Sequence, residues 1–227
     1  MFDGVFSDSI IHRAVKNGLI SISTRNIRDY SDDDRHKTVD DYPYGGDAGM
    51  VLKPQPLSKA IRASREALKD YDPCVVFLTP RGELLKHEVV EDLRTEKALI
   101  LLCGRYKGID ERICTRYVDR EISLGDFVLS GGEIAAMALI DAVTRLIPGA
   151  LGNRDSAESD SFYNGILGHP HYTRPEEFED LRVPEVLLSG HHANIATWQR
   201  EIALEMTRKQ RPDLWERYLY KMSENHK

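Results

Sequence analysis

Residues 74–79 read Cys-Val-Val-Phe-Leu-Thr and residues 98–103 read Ala-Leu-Ile-Leu-Leu-Cys, and a helical pattern separates these two apolar runs. A third strand-like run, Arg120–Ser123, follows another helical pattern. Apolar runs of this length are typical of buried strands, and strands that alternate with helices are typical of a largely parallel sheet. The centre of the chain therefore predicts an α/β fold.

Helical patterns surround these strands. Their apolar spacing predicts helices over Pro56–Lys69, His87–Thr95 and Asp110–Thr115. The longest apolar helix pattern, Glu133–Leu146, begins after two glycines and ends before Pro148. Its composition predicts a helix that is buried on most sides.

The last third of the chain is organised differently. Residues 151–184 show no sustained periodicity, and a segment of this length without periodicity is usually functional or disordered. Helical patterns return at residues 193–206 and 212–222. We predict a first domain over residues 1–150, a linker over 151–168 and a small helical domain over 169–227.

Composition excludes several classes of protein. The 227 residues are 41% hydrophobic and 30% charged, as in ordinary globular proteins. The net charge of −6 argues against nonspecific coating of nucleic acid, although it allows a local basic site. No apolar run is long enough to cross a membrane, and the first residues lack the pattern of a secretion signal, so we expect a cytoplasmic location. The three cysteines lack the spacing of zinc sites or disulfide frameworks, and we expect them to be reduced.

Glycine-bearing segments follow the three predicted strands, at Thr79–Gly82, Gly104–Gly108 and Gly125–Gly132. Ligands of open α/β sheets bind outside the carboxyl ends of the strands, so the three segments together predict a pocket. Each one alone is more typical of a tight turn. None matches the dinucleotide or phosphate-loop fingerprints, which removes the main support for a dehydrogenase, a nucleoside triphosphatase or a Rossmann methyltransferase.

Longer strings identify a family. Residues 104–112 read Gly-Arg-Tyr-Lys-Gly-Ile-Asp-Glu-Arg, and residues 123–133 read Ser-Leu-Gly-Asp-Phe-Val-Leu-Ser-Gly-Gly-Glu. With Asp-Asp-Tyr-Pro-Tyr-Gly-Gly at 40–46, His-Pro-His-Tyr-Thr-Arg-Pro at 169–175 and Leu-Leu-Ser-Gly-His-His at 187–192, they resemble the bacterial tRNA (guanine-N1)-methyltransferases, the TrmD family of the SPOUT class. The resemblance covers nearly the whole chain. It implies a mostly parallel sheet with a deep trefoil knot, followed by a small α-helical C-terminal domain that binds tRNA.

The activity that the resemblance implies is methyl transfer from S-adenosylmethionine to N1 of the guanine at tRNA position 37, next to the anticodon. Residues at the three strand ends are expected to surround the methyl donor. They are Phe77, Leu78, Thr79, Pro80, Gly104, Tyr106, Leu124, Gly125, Asp126, Phe127, Val128, Leu129, Gly131 and Gly132.

Guanine N1 carries a proton at neutral pH, so the reaction needs a base at N1 and a donor or cation at the adjacent carbonyl oxygen. The resemblance assigns the base to Asp160 and the cation to Arg145. Asp155 and Glu158 lie close to Asp160 in sequence, and the motif match rather than the chemistry selects among the three.

The target guanine must leave its stack before its Watson–Crick edge can be reached. The resemblance implies tRNA contacts by Asp41, Tyr44, His171 and Arg174. It also implies a homodimer with active sites shared between subunits, to which Ile134 could contribute apolar surface.

The sequence departs from the family pattern in two places. Lys107 stands where the family typically has Glu, so a role for Mg²⁺ gains no support from the sequence, and no metal ligands are predicted. The chain also begins after the position of the family's first strand, from which we expect an uncovered sheet edge.

Two alternatives stay open at this point. One is another SPOUT RNA methyltransferase that acts on a ribose oxygen or on ribosomal RNA. The other is a noncatalytic RNA-binding factor with the same fold.

Overall fold

The computed structural model describes residues 1–151 and 160–224. The chain divides into two compact units, Met1–Gly152 and Asn153–Lys227, and each has its own elements and contacts.

Short elements open the first unit. Helices α1 (Phe2–Phe6) and α2 (Ser9–Lys16) precede a 3₁₀ turn at Ile27–Tyr30. Two-residue strands β1 (Asp40–Asp41) and β2 (Val51–Leu52) then pair antiparallel. None of these elements was predicted, because pieces of this length carry almost no periodicity.

The rest of the first unit alternates helices and strands as the sequence predicts. The elements are α3 (Pro54–Ala67), β3 (Cys74–Leu84), α4 (His87–Thr95), β4 (Leu99–Cys103), α5 (Glu111–Tyr117), β5 (Arg120–Ser123) and α6 (Glu133–Leu146). The sheet order is β4-β3-β5, and both pairings are parallel. The predicted α/β class with parallel strands is confirmed.

Alternation along β3 divides the core into two layers. Val75 and Phe77 belong to a buried cluster that includes Ile61 of α3 and Ile113 of α5. Val76 and Leu78, on the opposite face of the strand, belong to a second cluster, with residues of α4 and α6. Successive side chains of a strand point to opposite faces, so a strand that is buried on both faces reads as one continuous apolar run.

Strand β3 does not end at Thr79–Gly82, where the sequence predicts a tight turn. Strand β3 continues to Leu84, and its register with β5 shifts between Leu78 and Glu83, both of which pair with Ile122. A Cβ at Gly82 would overlap the peptide between Glu121 and Ile122. Pro80 and Gly82 are turn signals in the sequence, and residues 79–82 do leave the pairing with β5, which resumes at Glu83.

Helix α6 is buried or half-buried on most sides, as predicted, but one stripe of it is exposed. Ala135, Ala136 and Leu139 are buried, but Ile134 is 47% exposed and Ala138 is exposed as well. One apolar side of this helix therefore lacks cover from its own chain within the described residues.

The second unit begins its described part at Asp160. It contains the hairpin β6 (Glu177–Phe178) and β7 (Leu181–Arg182), followed by helices α7 (Glu185–Leu188), α8 (His192–Gln210) and α9 (Pro212–Glu224). Helices α8 and α9 match the two predicted helices and pack together around Ala203, Thr207 and Leu214. The boundaries predicted for domains and linker stay predictions.

Candidate functional site

The carboxyl ends of the three parallel strands meet at one edge of the sheet. Leu78 pairs with Cys103, the last residue of β4, and with Ile122, next to the end of β5. The segments that follow β4 and β5 therefore start at the same edge, on the two sides of the part of β3 where the register shifts. This is the edge at which α/β proteins place their ligands.

Backbone hydrogen bonds hold residues 104–110 from one side through strand β2. The amide of Lys107 donates to Met50 O (3.0 Å), and the amide of Leu52 donates to Gly108 O (3.0 Å). Asp110 donates in turn to Leu52 O (3.1 Å). This contribution of residues 50–52 was not predicted, since three apolar residues followed by a lysine and a proline give no recognisable signal.

From the other side the same segment is held by the start of α6. The amide of Gly132 donates to Gly104 O (2.8 Å), and Arg105 forms an ion pair with Glu133 (2.9 Å). A Cβ at Gly132 would lie 2.8 Å from the Cα of Cys103, closer than Cβ contacts allow. Glycine is therefore required at residue 132 by the backbone that faces it.

Local contacts determine the orientation and protonation of the side chains around these segments. Asp110 accepts from the amide of Arg112 (3.0 Å) and binds its guanidinium (2.8 Å), and this hydrogen bond lowers the pKa of the Asp110 carboxyl. Burial raises the pKa of the Cys103 thiol to about 12, so the thiol stays protonated at neutral pH. A protonated thiol is a poor nucleophile, and the site offers no cysteine chemistry at that residue.

Residues 124–129 are apolar except for Gly125 and the exposed Asp126. The buried hydroxyl of Ser123 accepts from the amide of Gly125 (3.2 Å) and donates to its carbonyl (3.1 Å), which fixes the start of the segment. Phe127 and Val128 are 55% and 84% exposed. Tyr106, in the neighbouring segment, is 57% exposed. Apolar side chains with a few backbone polar groups are the usual lining of a small-molecule site.

The residues predicted to bind the methyl donor all belong to this edge or to the segments that leave it. Phe77 and Leu78 are buried in β3, and Thr79 and Pro80 follow them in the same strand. Among the residues predicted to bind tRNA, Asp41 lies in β1, and Tyr44 in the loop after it is fully exposed. Arg145 lies in the last turn of α6.

Asp160, by contrast, belongs to the second unit, and its position relative to Arg145 stays a prediction. Its side chain is exposed, and it precedes a turn in which Ser161 Oγ accepts from the amide of Gly168 (2.9 Å). The amide of Leu167 donates to the hydroxyl of Thr207 in α8 (2.9 Å). The turn after Asp160 is therefore anchored on a helix. Asp155 and Glu158 lie outside the described residues.

The other residues predicted to contact tRNA are also in the second unit. His171 and His169 have ring centroids 4.6 Å apart, and Arg174 is exposed three residues further along the chain. The rings of Tyr172 and Trp198 are 6.5 Å apart. Exposed rings and a guanidinium are suited to stacking on RNA bases.

Residues 1–151 and 160–224 contain no cluster of three or more acidic, histidine or cysteine side chains that could hold a metal ion. Within the same ranges, no helix is both long and apolar enough to span a bilayer.

Comparisons with known proteins identify the family. Residues 1–217 match the family model described as tRNA (Guanine-1)-methyltransferase TrmD. The chain is 54% identical over 213 residues to a tRNA (guanine-N(1)-)-methyltransferase of Clostridium beijerinckii, covering 94% of this chain and 87% of that one. Relatives of the same name from Geobacter sulfurreducens (54% over 217 residues; 94% and 86% covered) and Clostridium tetani (50% over 214 residues; 94% and 87% covered) are also similar. This chain belongs to the tRNA (guanine-1)-methyltransferase TrmD family.

Proposed function

We propose that this protein transfers a methyl group from S-adenosylmethionine to N1 of the tRNA guanine at position 37, next to the anticodon. The observation that carries the proposal is the family match over residues 1–217, which includes the three chain segments that meet at the carboxyl edge of the sheet.

A methyltransferase of this family implies S-adenosylmethionine as the methyl donor. The residues at the sheet edge fit such a molecule. Tyr106, Phe127 and Val128 present apolar surface that an adenine ring can cover, and the exposed carboxylate of Asp126 has the charge that a sulfonium attracts. When bound, the donor supplies a methyl group that is already activated for displacement. Mg²⁺ gains no support from the described residues.

The protein's own residues must then prepare the acceptor. Asp160 removes the proton from guanine N1, while Arg145 donates to the neighbouring carbonyl oxygen as negative charge develops there. An exposed carboxylate on an anchored turn can reach a substrate that arrives from solvent, and an arginine stays charged throughout the reaction. Glycine-bearing segments and apolar side chains at the strand ends would hold the donor.

The same proposal includes the knotted topology of the family. Its support is the double pairing of Ile122, which lies opposite both Leu78 and Glu83, so that β5 runs past a detour in β3. The proposal also includes a first domain over residues 1–150, a catalytic linker over 151–168 and a tRNA-binding domain over 169–227.

A homodimer with shared active sites is proposed as well. The open side of α6, with Ile134 and Ala138, is apolar surface that a second subunit could cover. In the second unit none of residues 160–202 is buried, although Phe178 and Leu181 expose 63% and 75% of their surface. Apolar surface left open in this way is typical of protein interfaces.

Contacts to tRNA are assigned to Asp41, Tyr44, His171 and Arg174. Tyr44 is fully exposed, and His171 and Arg174 are exposed on the second unit, so each is accessible to a nucleic acid. A cytoplasmic location, where such a substrate is made, stays a prediction.

An assay on an unmodified tRNA transcript tests the activity. We expect transfer of labelled methyl from S-adenosylmethionine to a transcript with guanine at the target position, and none with adenine there. Mass analysis of the nucleosides should give 1-methylguanosine. A ribose-methylated product would favour another SPOUT enzyme, and binding of transcript without transfer would favour a noncatalytic factor.

Mixing two inactive variants tests the shared sites. Asp160→Ala and a variant of the sheet-edge segments, Gly132→Ala, each break a different half of the site. If the halves come from different subunits, each mixed dimer retains one intact site, and an equal mixture should recover about a quarter of the wild-type rate. Mixed dimers without activity would contradict sharing.

A further inference from the structure

Arg81 lies in the part of β3 where pairing with β5 is interrupted. Leu78 and Glu83 both pair with Ile122, so residues 79–82 form a detour between them. Thr79 and Pro80, which the proposed function assigns to the methyl donor, belong to this detour. Gly82, at its end, lies against the backbone of β5.

The guanidinium of Arg81 binds two carboxylates from two other elements. Its Nε and Nη2 donate to the two oxygens of Glu121 in β5 (2.7 and 2.9 Å). Its Nη1 forms an ion pair with Glu111 at the start of α5 (2.8 Å). Hydrogen bonds to Glu121 and then to Glu111 raise the pKa of Arg81 above its ordinary value, so the side chain stays charged.

Each partner is attached to a segment of the sheet edge. Glu121 precedes residues 124–132 in the chain, and Glu111 directly follows residues 104–110. A single side chain on the detour of β3 therefore links all three segments.

A second ion pair between the same strands differs in this respect. Arg120 of β5 donates to Glu83 of β3 through Nε (2.8 Å) and Nη2 (2.6 Å), and its remaining nitrogen lies 3.8 Å from Asp92 of α4. This pair joins β3 to β5 as Arg81 does, but among the described residues Arg120 forms no hydrogen bond or ion pair with α5. It is a matched control for Arg81.

We propose that Arg81 is a positioning residue for the methyl donor: by binding Glu111 and Glu121, it holds the three sheet-edge segments at the separation that the donor requires. This inference rests on the proposed function.

Because the side chains of this network are partly exposed, its loss should affect donor binding more than folding stability. The side chains of Arg81, Glu111 and Glu121 are 51%, 66% and 27% exposed. Ion pairs with this much solvent around them contribute little to folding stability. Affinity for a ligand depends on how well its contact groups are arranged beforehand, so loss of the network should weaken donor binding more than it lowers Tm.

Direct binding of S-adenosylmethionine to the full-length protein tests the inference. Titration calorimetry should give a Kd for the donor that is about three- to tenfold higher in Arg81→Gln than in the wild type, as expected for loss of one or two charged contacts. Glu111→Gln, which leaves the β3–β5 pair intact, should raise Kd in the same direction. Arg120→Gln should leave Kd unchanged.

Kinetics and a charge exchange provide further readouts. In Arg81→Gln the KM for the donor should rise while kcat and the KM for tRNA stay near wild type. Exchanging the charges, with Arg81→Glu and Glu121→Arg together, should not restore the affinity, because the carboxylate introduced at residue 81 would lie beside Glu111 and repel it. Arg81→Lys should be intermediate, because lysine keeps the charge but not the planar fork.

Unchanged donor affinity in both Arg81→Gln and Glu111→Gln would overturn the inference but not the proposed function. An equal loss in Arg120→Gln would also overturn it, since general weakening of the strand pair would then explain the effect. A wild-type protein with no affinity for S-adenosylmethionine would overturn the proposed function together with the inference.

Discussion

The sheet-edge segments and the stretch from residue 160 to residue 202 are held by different means. Residues 104–110 have hydrogen-bond partners on two sides, in β2 and at Gly132, and the segment after β5 starts from a buried serine. Residues 160–202 include no buried side chain. The donor half of the proposed site is therefore shaped by packed backbone within its own unit, whereas the half that carries Asp160 is held by hydrogen bonds such as that from the Leu167 amide to Thr207. Changes in one half should leave the other intact.

The largest effect that this comparison predicts is on chemistry alone. Asp160→Ala should lower kcat by about 10²–10⁴-fold, because a general base typically contributes that much. The Kd for S-adenosylmethionine should not change, because the donor half keeps its shape. Asp180→Ala, at the exposed tip of the β6–β7 hairpin, is the control and should retain full activity. Wild-type turnover by Asp160→Ala would remove this residue from the mechanism.

A variant of Arg145 tests whether the donor half and the half that carries Asp160 act on one guanine. Arg145→Ala should lower kcat by about 10²–10³-fold if the guanidinium stabilises developing charge. The side chain also lies at the carboxyl end of α6, where positive charge stabilises a helix by about 0.3–1 kcal/mol. Arg145→Lys keeps that charge and should restore Tm but only part of kcat. A loss of stability with normal kcat in Arg145→Ala would assign the residue to the helix end only.

Gly132→Ala should damage the donor half directly. The added Cβ would lie 2.8 Å from the Cα of Cys103 and 3.1 Å from the nitrogen of Gly104, so the hydrogen bond between residues 132 and 104 must lengthen. We expect a loss of about 1–3 kcal/mol in the free energy of unfolding, as for other overpacked sites, and weaker donor binding. Gly4→Ala is the control, because a Cβ there has no neighbour within 4 Å. Equal stability of the two variants in urea titrations would refute the tight packing at Gly132.

The smallest predicted effect concerns tRNA binding by the second unit. Lys209 is already paired with Glu205 (2.6 Å), whereas Arg208 has no carboxylate within 4.0 Å among the described residues. Arg208→Gln should lower tRNA affinity and reduce the slope of log affinity against log salt by about 0.7–0.9, the value for one phosphate contact. Lys209→Gln should change the slope less. Identical slopes in the wild type and Arg208→Gln would show that Arg208 lies outside the tRNA interface.

Much of the first unit could be predicted from the sequence because its elements are long enough for apolar residues to recur at a regular spacing. The bounds of α4, β5 and α6 match the prediction to the residue. The end of β3 was missed because its pairing partner lies far along the chain. In the second unit, the β6–β7 hairpin was missed because Glu179 and Asp180 adopt positive φ angles at its turn, where glycine or asparagine is the usual signal.

The residues of the proposed site also divide into those with a local sequence signal and those without one. Glycine turns after apolar strands predicted the sheet edge from local signals alone. The partners that shape this edge, Met50–Leu52 and the carboxylates around Arg81, are distant in sequence and follow no spacing rule. Asp160 was selected by family resemblance, since an aspartate in a polar loop has no distinguishing local feature.

The order of the strands has a consequence for synthesis of the protein. Both sheet partners of β3, Leu99–Cys103 and Arg120–Ser123, follow it in the chain. While the polypeptide grows on the ribosome, the apolar stretch from Val75 to Leu78 therefore emerges before either neighbour exists. Unpaired apolar strands in nascent chains are prone to aggregation, so translation pauses shortly after β3 should increase the demand for chaperones.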